Sequence, residues 1–83
     1  MARYQIDMKP TAWKDLDDLP ERDAKRVFSR IQKLADDLGG DVKKLRNYSP
    51  GYRLRVGDWR VLFDVEGSQV SVYRILNRRD AYD

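Results

Sequence analysis

The arginines of one short segment are the side chains of this sequence best suited to chemistry. Residues 52–63 form two runs of alternating apolar and polar side chains joined by a Gly-Asp pair that begins at Gly57, and Arg53, Arg55 and Arg60 occupy polar positions. A two-residue turn with glycine at its first central position would place Arg55 directly opposite Arg60 in a β-hairpin. Directly opposed like charges destabilise a sheet and arginine stays protonated, so we expect this face to bind an anion.

Positive charge is concentrated in the second half of the chain, although the whole sequence carries a formal charge of only +3. Residues 43–79 contain nine basic and three acidic side chains, whereas residues 1–42 contain eight basic and nine acidic ones. This distribution is typical of a protein that binds a phosphate-rich partner. It favours nucleic acid over a solvated basic face or a surface for an acidic protein.

Length and composition predict a single domain over residues 1–83. With 41% apolar and 37% charged residues, the chain is expected to be a soluble globular protein with one small core. It shows no apolar signal region and no apolar run that could span a membrane, so we expect a cytoplasmic protein. Because cysteine and histidine are absent, we expect no disulfide, no thiol nucleophile, no metal and no other cofactor.

Hydrophobic periodicity predicts a strand and a helical hairpin in the first half of the chain. Residues 3–8 alternate as a half-buried strand does. Thr11 is suited to cap a short helix whose apolar stripe includes Trp13, and this tryptophan is expected to anchor the core. A longer helix, with apolar residues at i, i+3, i+4 and i+7, begins at Glu21 and is terminated by Gly39 and the next glycine.

The second half predicts a basic loop at residues 43–50 and then a meander of three strands at 51–57, 58–65 and 69–76. The element order is therefore β-α-α-β-β-β. We predict an α+β fold in which the helical hairpin packs on one face of a small, mainly antiparallel four-stranded sheet. Simple alternation puts Arg74 on the buried face, so either its side chain reaches out at the sheet edge or a bulge turns the strand end.

The arginine-rich hairpin and the C-terminus together resemble the RelE/ParE superfamily of bacterial and archaeal toxin–antitoxin modules, and within it the RelE-like messenger RNA endonucleases. The resemblance covers nearly the entire chain and includes the Lys-x-Leu-Arg sequence at 43–46 and the Arg-Arg-Asp-x-Tyr sequence at 78–82. It implies a toxin that enters the A site of the 70S ribosome and cuts messenger RNA there without a metal. It also implies a cognate antitoxin that neutralises the toxin.

By position, the resemblance implies a catalytic site formed by Arg53, Arg55, Arg60, Arg78 and Tyr82. In metal-free RNA cleavage the 2′-hydroxyl attacks the adjacent phosphate, and fixed cations stabilise the charge that develops on the phosphorane oxygens. Arg60 and Arg78 are expected to make the phosphate contacts, while Tyr82 would stack on or orient the nucleotide. Contacts with RNA, including 16S ribosomal RNA, are expected from four more basic residues: Lys43, Lys44, Arg46 and Arg79.

Proton transfer is the part of this mechanism that the sequence leaves unassigned. Several relatives carry lysines on the second strand or a histidine before the C-terminal arginine, but this chain has arginines and Asn77 at those positions. Arginine is a poor general base because it remains protonated. Asp58 and Asp80 are more simply explained as partners of nearby arginines than as bases.

Two other functions stay open at this stage. A ParE-like protein with the same fold would inhibit DNA gyrase by binding and would cleave nothing, and a basic nucleic-acid-binding module would have neither activity. Together, the five residues of the implied catalytic site favour the nuclease over the gyrase inhibitor, whereas the missing histidine and lysines favour the inhibitor. Whichever target is hit, we expect the antitoxin to have an amphipathic helix and acidic residues and to dock across the helical hairpin and the sheet edge.

Overall fold

The computed structural model describes residues 3–81, which form two helices and one five-stranded sheet. In chain order the elements are β1 (Gln5–Met8), α1 (Pro10–Asp17), α2 (Glu21–Lys33), β2 (Val42–Lys44), β3 (Tyr52–Val56), β4 (Trp59–Glu66) and β5 (Gln69–Asn77). The strand order is β1-β5-β4-β3-β2, in which β1 runs parallel to β5 and the other pairs are antiparallel. The α+β class and the mainly antiparallel sheet are confirmed, but the prediction of four strands was wrong.

The additional strand is β2, which lies partly in the segment predicted to be a basic loop. It has only three residues, and two of them are lysines, so no alternation could mark it. Lys43 pairs with Arg53 and Lys44 with Tyr52, which makes β2 the edge of the sheet. Short, charged edge strands resist pairing with other chains.

The first helix begins two residues earlier than a cap at Thr11 would imply. Pro10 occupies its first turn and Lys9 is the N-cap residue, without a side-chain capping bond. Proline suits this position because its missing N–H would have no helical acceptor. We had predicted that Thr11 caps this helix, and this was wrong. Its hydroxyl instead donates to the carbonyl oxygen of Tyr73 in β5 at 2.8 Å.

The second helix ends at Lys33, several residues before the predicted stop at Gly39. The chain continues in a tighter turn, and the carbonyl oxygen of Ala35 accepts hydrogen bonds from the N–H groups of Arg3 and Tyr4 at 2.7 and 2.9 Å. These bonds satisfy a carbonyl that would otherwise need a longer helix or a cap. Within residues 3–81, neither helix is long and apolar enough to cross a membrane.

The core lies between the helices and one face of the sheet, called here the inner face. Alternating positions of the last three strands face the helices: Leu54, Val56, Val61, Phe63, Val70 and Val72 are buried, and Tyr52, Trp59 and Val65 pack against them partly buried. Trp13 is different, because 47% of it is exposed although its ring lies 5.9 Å from that of Phe28. The prediction that Trp13 anchors the core was therefore wrong.

A β-bulge in β5 decides the position of Arg74. Leu62 opposes Arg74, whereas the next residue of β4 opposes Val72, so Tyr73 is left as the extra residue. The bulge turns Arg74 away from the core, where its Nε and Nη2 donate to the carboxylate of Asp15 at 2.7 and 3.2 Å. These hydrogen bonds raise the pKa of the Arg74 guanidinium. The second of the two predicted alternatives is confirmed.

Candidate anion-binding site

The hairpin formed by β3 and β4 has the predicted register. Val56 pairs with Trp59 and Arg55 lies directly opposite Arg60 on the outer face, which is the face of the sheet away from the helices. Gly57 has a positive φ of 59° and the residue after it does not, as a turn with glycine at the first central position requires. The two guanidinium groups that this register brings together are therefore a consequence of local turn chemistry.

Among residues 3–81, Arg60 is the one charged residue that is buried, with 5% of its surface exposed. Its Nη1 donates to the carbonyl oxygens of Gly57 and Trp59 at 2.9 and 3.1 Å, which fixes the guanidinium against the turn. Its Nε is buried and has no hydrogen-bond acceptor within the described residues. A buried cationic donor without an acceptor is unfavourable, so burying this charge lowers the stability of the folded chain.

Asp41 supplies the carboxylate of the arginine cluster. It precedes β2, and its carbonyl oxygen accepts the N–H of Arg55 at 2.9 Å. Its Oδ2 lies 2.5 Å from Nε of Arg55, and its Oδ1 lies 3.6 Å from Nη1 of Arg53. The Arg53 side chain is only 12% exposed, and its Nη1 has no hydrogen-bond acceptor in residues 3–81. One carboxylate is thus shared by two arginines and compensates them incompletely.

A cavity of about 360 Å³ opens beside the β3–β4 turn, and five arginines and one aspartate line it. Arg55, Arg60 and Arg78 were predicted to act together, and all three line this cavity with Asp41. The other two arginines come from α2. Guanidinium groups present several donors in a planar array that matches the oxygens of a phosphate, so the cavity is suited to a phosphate group.

Arg78 reaches the cavity because the meander returns the chain to the turn, as predicted. Its N–H donates to the carbonyl oxygen of Asp58 at 2.8 Å, immediately beyond the pairing of Asn77 with Trp59. Its Nε lies 3.9 Å from the Asp58 carboxylate in an exposed pair, which is the structural role expected for that aspartate. With 63% of its side chain exposed, Arg78 is free to adjust to a ligand.

The two arginines of α2 that line the cavity are Arg26 and Arg30, and sequence reasoning missed both. A Cβ placed on Gly57 would lie 3.1 Å from Nη1 of Arg26, which shows how closely this side chain approaches the turn. The available signal was their four-residue spacing, which puts them on one face of the helix.

The remaining predicted residues are not gathered in the cavity. Lys43 opposes Arg53 on the outer face, whereas Lys44 opposes Tyr52 on the inner face, so the two lysines point to opposite sides of the sheet. Four predicted basic residues are exposed but do not line the cavity: Lys43, Lys44, Arg46 and Arg79. Asp80 is also exposed and outside it. Tyr82 lies outside the described residues.

Fold and site together define a small α+β protein in which five arginines line one cavity. A family model described as the ParE toxin of type II toxin–antitoxin systems matches residues 6–82. The chain therefore belongs to this family of toxins, within the RelE/ParE superfamily that its residues resemble.

Individual relatives agree with this assignment. Toxin RelE3 of Methanocaldococcus jannaschii is 35% identical over 75 residues, which cover 84% of this chain and 85% of the relative. The toxin–antitoxin complex RelBE2 of Mycobacterium tuberculosis matches with a TM-score of 0.78 and 25% identity, over 92% of this chain and 99% of that one. The RelB–RelE antitoxin–toxin complex of Methanococcus jannaschii matches with a TM-score of 0.65 and 27% identity, over 88% and 91%.

Proposed function

We propose that this toxin is a ribosome-dependent endoribonuclease that cleaves messenger RNA in the ribosomal A site and thereby stops translation in the cytoplasm. The observation that carries the proposal is the cavity in which Arg55, Arg60 and Arg78 converge beside one turn. Three guanidinium groups around one phosphate would provide the charge stabilisation that phosphoryl transfer to a 2′-hydroxyl requires. The similarity to a toxin named RelE supports the nuclease among the family's activities.

In the proposed reaction, the 2′-oxygen forms a bond to phosphorus and the bond to the 5′-oxygen of the next nucleotide breaks. The proton of the 2′-hydroxyl leaves and the departing oxygen gains one. Arg60, whose orientation is fixed by the turn carbonyls, would stabilise the phosphorane oxygens together with Arg78. Arg55 and Arg53 would contribute positive charge from the adjoining strand positions. Tyr82 would orient the nucleotide by stacking.

These side chains stabilise charge but do not transfer protons. Arginine keeps its proton at physiological pH, and the Asp41 carboxylate is engaged by Arg55. The proposed enzyme therefore depends on alignment of the messenger RNA by the ribosome, which places the 2′-hydroxyl in line for attack. Four basic residues outside the cavity would contact RNA during this docking: Lys43, Lys44, Arg46 and Arg79.

A cognate antitoxin is the proposed protein partner, since the similar solved structures are of toxin–antitoxin complexes. A second cavity of about 350 Å³, mainly apolar, lies between β1 and the helices and includes Met8, the exposed ring of Trp13 and Phe28. It is suited to the apolar side of an amphipathic helix, and β1 beside it is an edge strand. We expect the complex to survive high salt on co-purification, whereas a contact made by charge alone would be lost.

The nuclease is tested by mapping messenger RNA ends by primer extension after expression of the toxin without its antitoxin, and in purified translation reactions with and without ribosomes. Wild-type protein should give cuts only with ribosomes, and Arg78→Ala should remove them because the side chain lines the cavity yet is too exposed to be needed for folding. Lys25→Ala, a change at a side chain 78% exposed on α2, is the matched control and should cut normally. Absence of ribosome-dependent cuts in the wild type would refute the proposal.

Inhibition of DNA gyrase is the second candidate function, because the matching family model is named for ParE. This activity requires binding without cleavage. A supercoiling assay run in parallel separates the two: the gyrase inhibitor would block supercoiling and leave messenger RNA ends unchanged, whereas the nuclease would do the reverse.

A further inference from the structure

One face of α2 carries a row of arginines that the rest of the protein does not neutralise. Arg22, Arg26 and Arg30 follow one another at four-residue spacing, which stacks their side chains along the helix. None of the three forms an ion pair within residues 3–81, whereas Lys25 on the same helix pairs with Glu21 at 3.4 Å. Like charges at this spacing destabilise a helix, so the row is not explained by helix stability.

Only two members of the row lie at the cavity. Arg26 approaches the backbone of the β3–β4 turn at Gly57, and Arg30 approaches the loop before β2, where a Cβ on Gly40 would lie 3.4 Å from its Nη2. Arg22 does not line the cavity. The helix therefore adds two cations to the three supplied by β3, β4 and the residue that follows β5.

Five arginines are more than one phosphate requires. A single diester phosphate carries one negative charge, and one or two guanidinium groups saturate its free oxygens with bidentate contacts. Arg60 and Arg78 already supply two such groups, and the buried Arg60 still has an Nε without an acceptor in the described residues. The charge and the N–H donors of Arg26 and Arg30 are therefore left over, and they match a second anionic group of the same ligand.

We infer that Arg26 and Arg30 form a second phosphate-binding site, which holds the phosphate next to the scissile one on the same RNA strand. The inference rests on the proposed nuclease function, because it takes Arg55, Arg60 and Arg78 as the site of the scissile phosphate. RNA is favoured over an acidic protein segment because the apolar cavity suited to a protein partner shares no lining residue with this one.

The test uses a fluorescent six-nucleotide RNA in which every 2′-hydroxyl is methylated, so that binding is measured without cleavage. Anisotropy is recorded over a salt series for the wild type, for Arg26→Gln with Arg30→Gln, and for Arg22→Gln with Lys25→Gln as a control. The control removes the same charge from the same helix at exposed positions away from the cavity. Glutamine keeps most of the side-chain stem, and circular dichroism verifies that each variant is folded.

Loss of one phosphate contact should lower the slope of log binding constant against log salt by about 0.7 for a single-stranded ligand. Affinity at moderate salt should fall about tenfold, as expected for a lost charge-assisted contact. The control pair should change the slope by less than half as much. Equal losses in both pairs, unaltered binding by the cavity pair, or no binding by the wild type at low ionic strength would each overturn the inference.

Two further results separate this inference from the proposed function. Ribosome-dependent cutting by the wild type, combined with unaltered RNA binding by the Arg26 and Arg30 pair, would refute the second site and leave the nuclease standing. A reduced slope in that pair, combined with a wild type that never cuts, would support the second site and refute the nuclease. If the pair binds RNA normally but loses affinity for an acidic peptide, the site serves a protein and the inference is wrong.

Discussion

Replacing Arg60 by methionine is expected to leave the free energy of unfolding almost unchanged while abolishing cleavage. Arg60 is buried at 5% exposure, yet it pairs with no carboxylate in residues 3–81 and its Nε has no acceptor there. Methionine is similar in length, uncharged and flexible, so it fills the same space without a buried charge. The side chain that the site most depends on is therefore one that the fold does not need.

The expected magnitude follows from two opposing contributions. The substitution removes two hydrogen bonds from Nη1 to the carbonyl oxygens of Gly57 and Trp59, a loss of about 3 kcal/mol for a charged donor. It also removes the desolvation penalty of a buried, incompletely paired cation, which amounts to several kcal/mol. The net change should lie within about 2 kcal/mol of zero. Arg60→Ala also removes the charge but leaves a void. Its free energy of unfolding should therefore be about 2–4 kcal/mol lower than that of the methionine variant.

Urea unfolding at neutral pH, followed by tryptophan fluorescence, measures both variants against the wild type, and primer extension measures cleavage. If Arg60→Met lowers the free energy of unfolding by more than about 3 kcal/mol, the reasoning is refuted, because the contacts of Arg60 with the turn would then be a main source of stability. Ribosome-dependent cleavage by a folded Arg60→Met protein would refute its catalytic role instead.

Three other substitutions test the supporting structure. Asp15→Ala should lower the free energy of unfolding by about 2–3 kcal/mol in urea, because a backbone N–H of β5 loses its acceptor. Gly57→Ala and Gly67→Ala should each lower it by about 1–2 kcal/mol, because both glycines have positive φ. Only Gly57→Ala should also weaken RNA binding in the anisotropy assay, since its Cβ meets a guanidinium and that of residue 67 meets nothing. Asp41→Asn should tighten RNA binding about fivefold at low salt, because it removes the carboxylate that lines the cavity.

Each of these predictions has a contradicting result. Unchanged stability of Asp15→Ala would mean that another group satisfies the freed N–H. Equal RNA binding by the two glycine variants would mean that Arg26 does not contact the bound RNA. Weaker binding by Asp41→Asn would mean that this carboxylate orients Arg55 for the ligand rather than competing with it.

The hairpin at the site was predictable because its determinants are local. Alternation sets which side chains share a face, and the glycine at residue 57 sets the turn, so the pairing of Arg55 with Arg60 followed from adjacent residues. The strand β2 was not predictable in this way. Three residues contain no period, and the strand is defined by its pairing with β3, in which Val42 lies opposite Leu54.

The residues that line the cavity also divide into those that local sequence predicts and those that depend on tertiary contacts. Arg78 was predictable from the meander, which must return the chain to the turn. Arg26 and Arg30 were not, because helical spacing places them on one face but does not say which edge of the sheet that face meets. Asp41 gave no signal either, since its contact with Arg55 depends on the unpredicted strand that follows it.

The proposed dependence on the ribosome follows from the charges of the site rather than from a separate recognition device. A cavity lined by five arginines is suited to the phosphate groups of any accessible RNA, but arginines do not accept protons and the one carboxylate there, Asp41, is paired with Arg55. Binding and cleavage should therefore separate, with free RNA bound in a salt-dependent manner and left intact. Only a strand already held in the in-line geometry gains enough from charge stabilisation to react, and the decoding site of the ribosome is where the proposal places that strand.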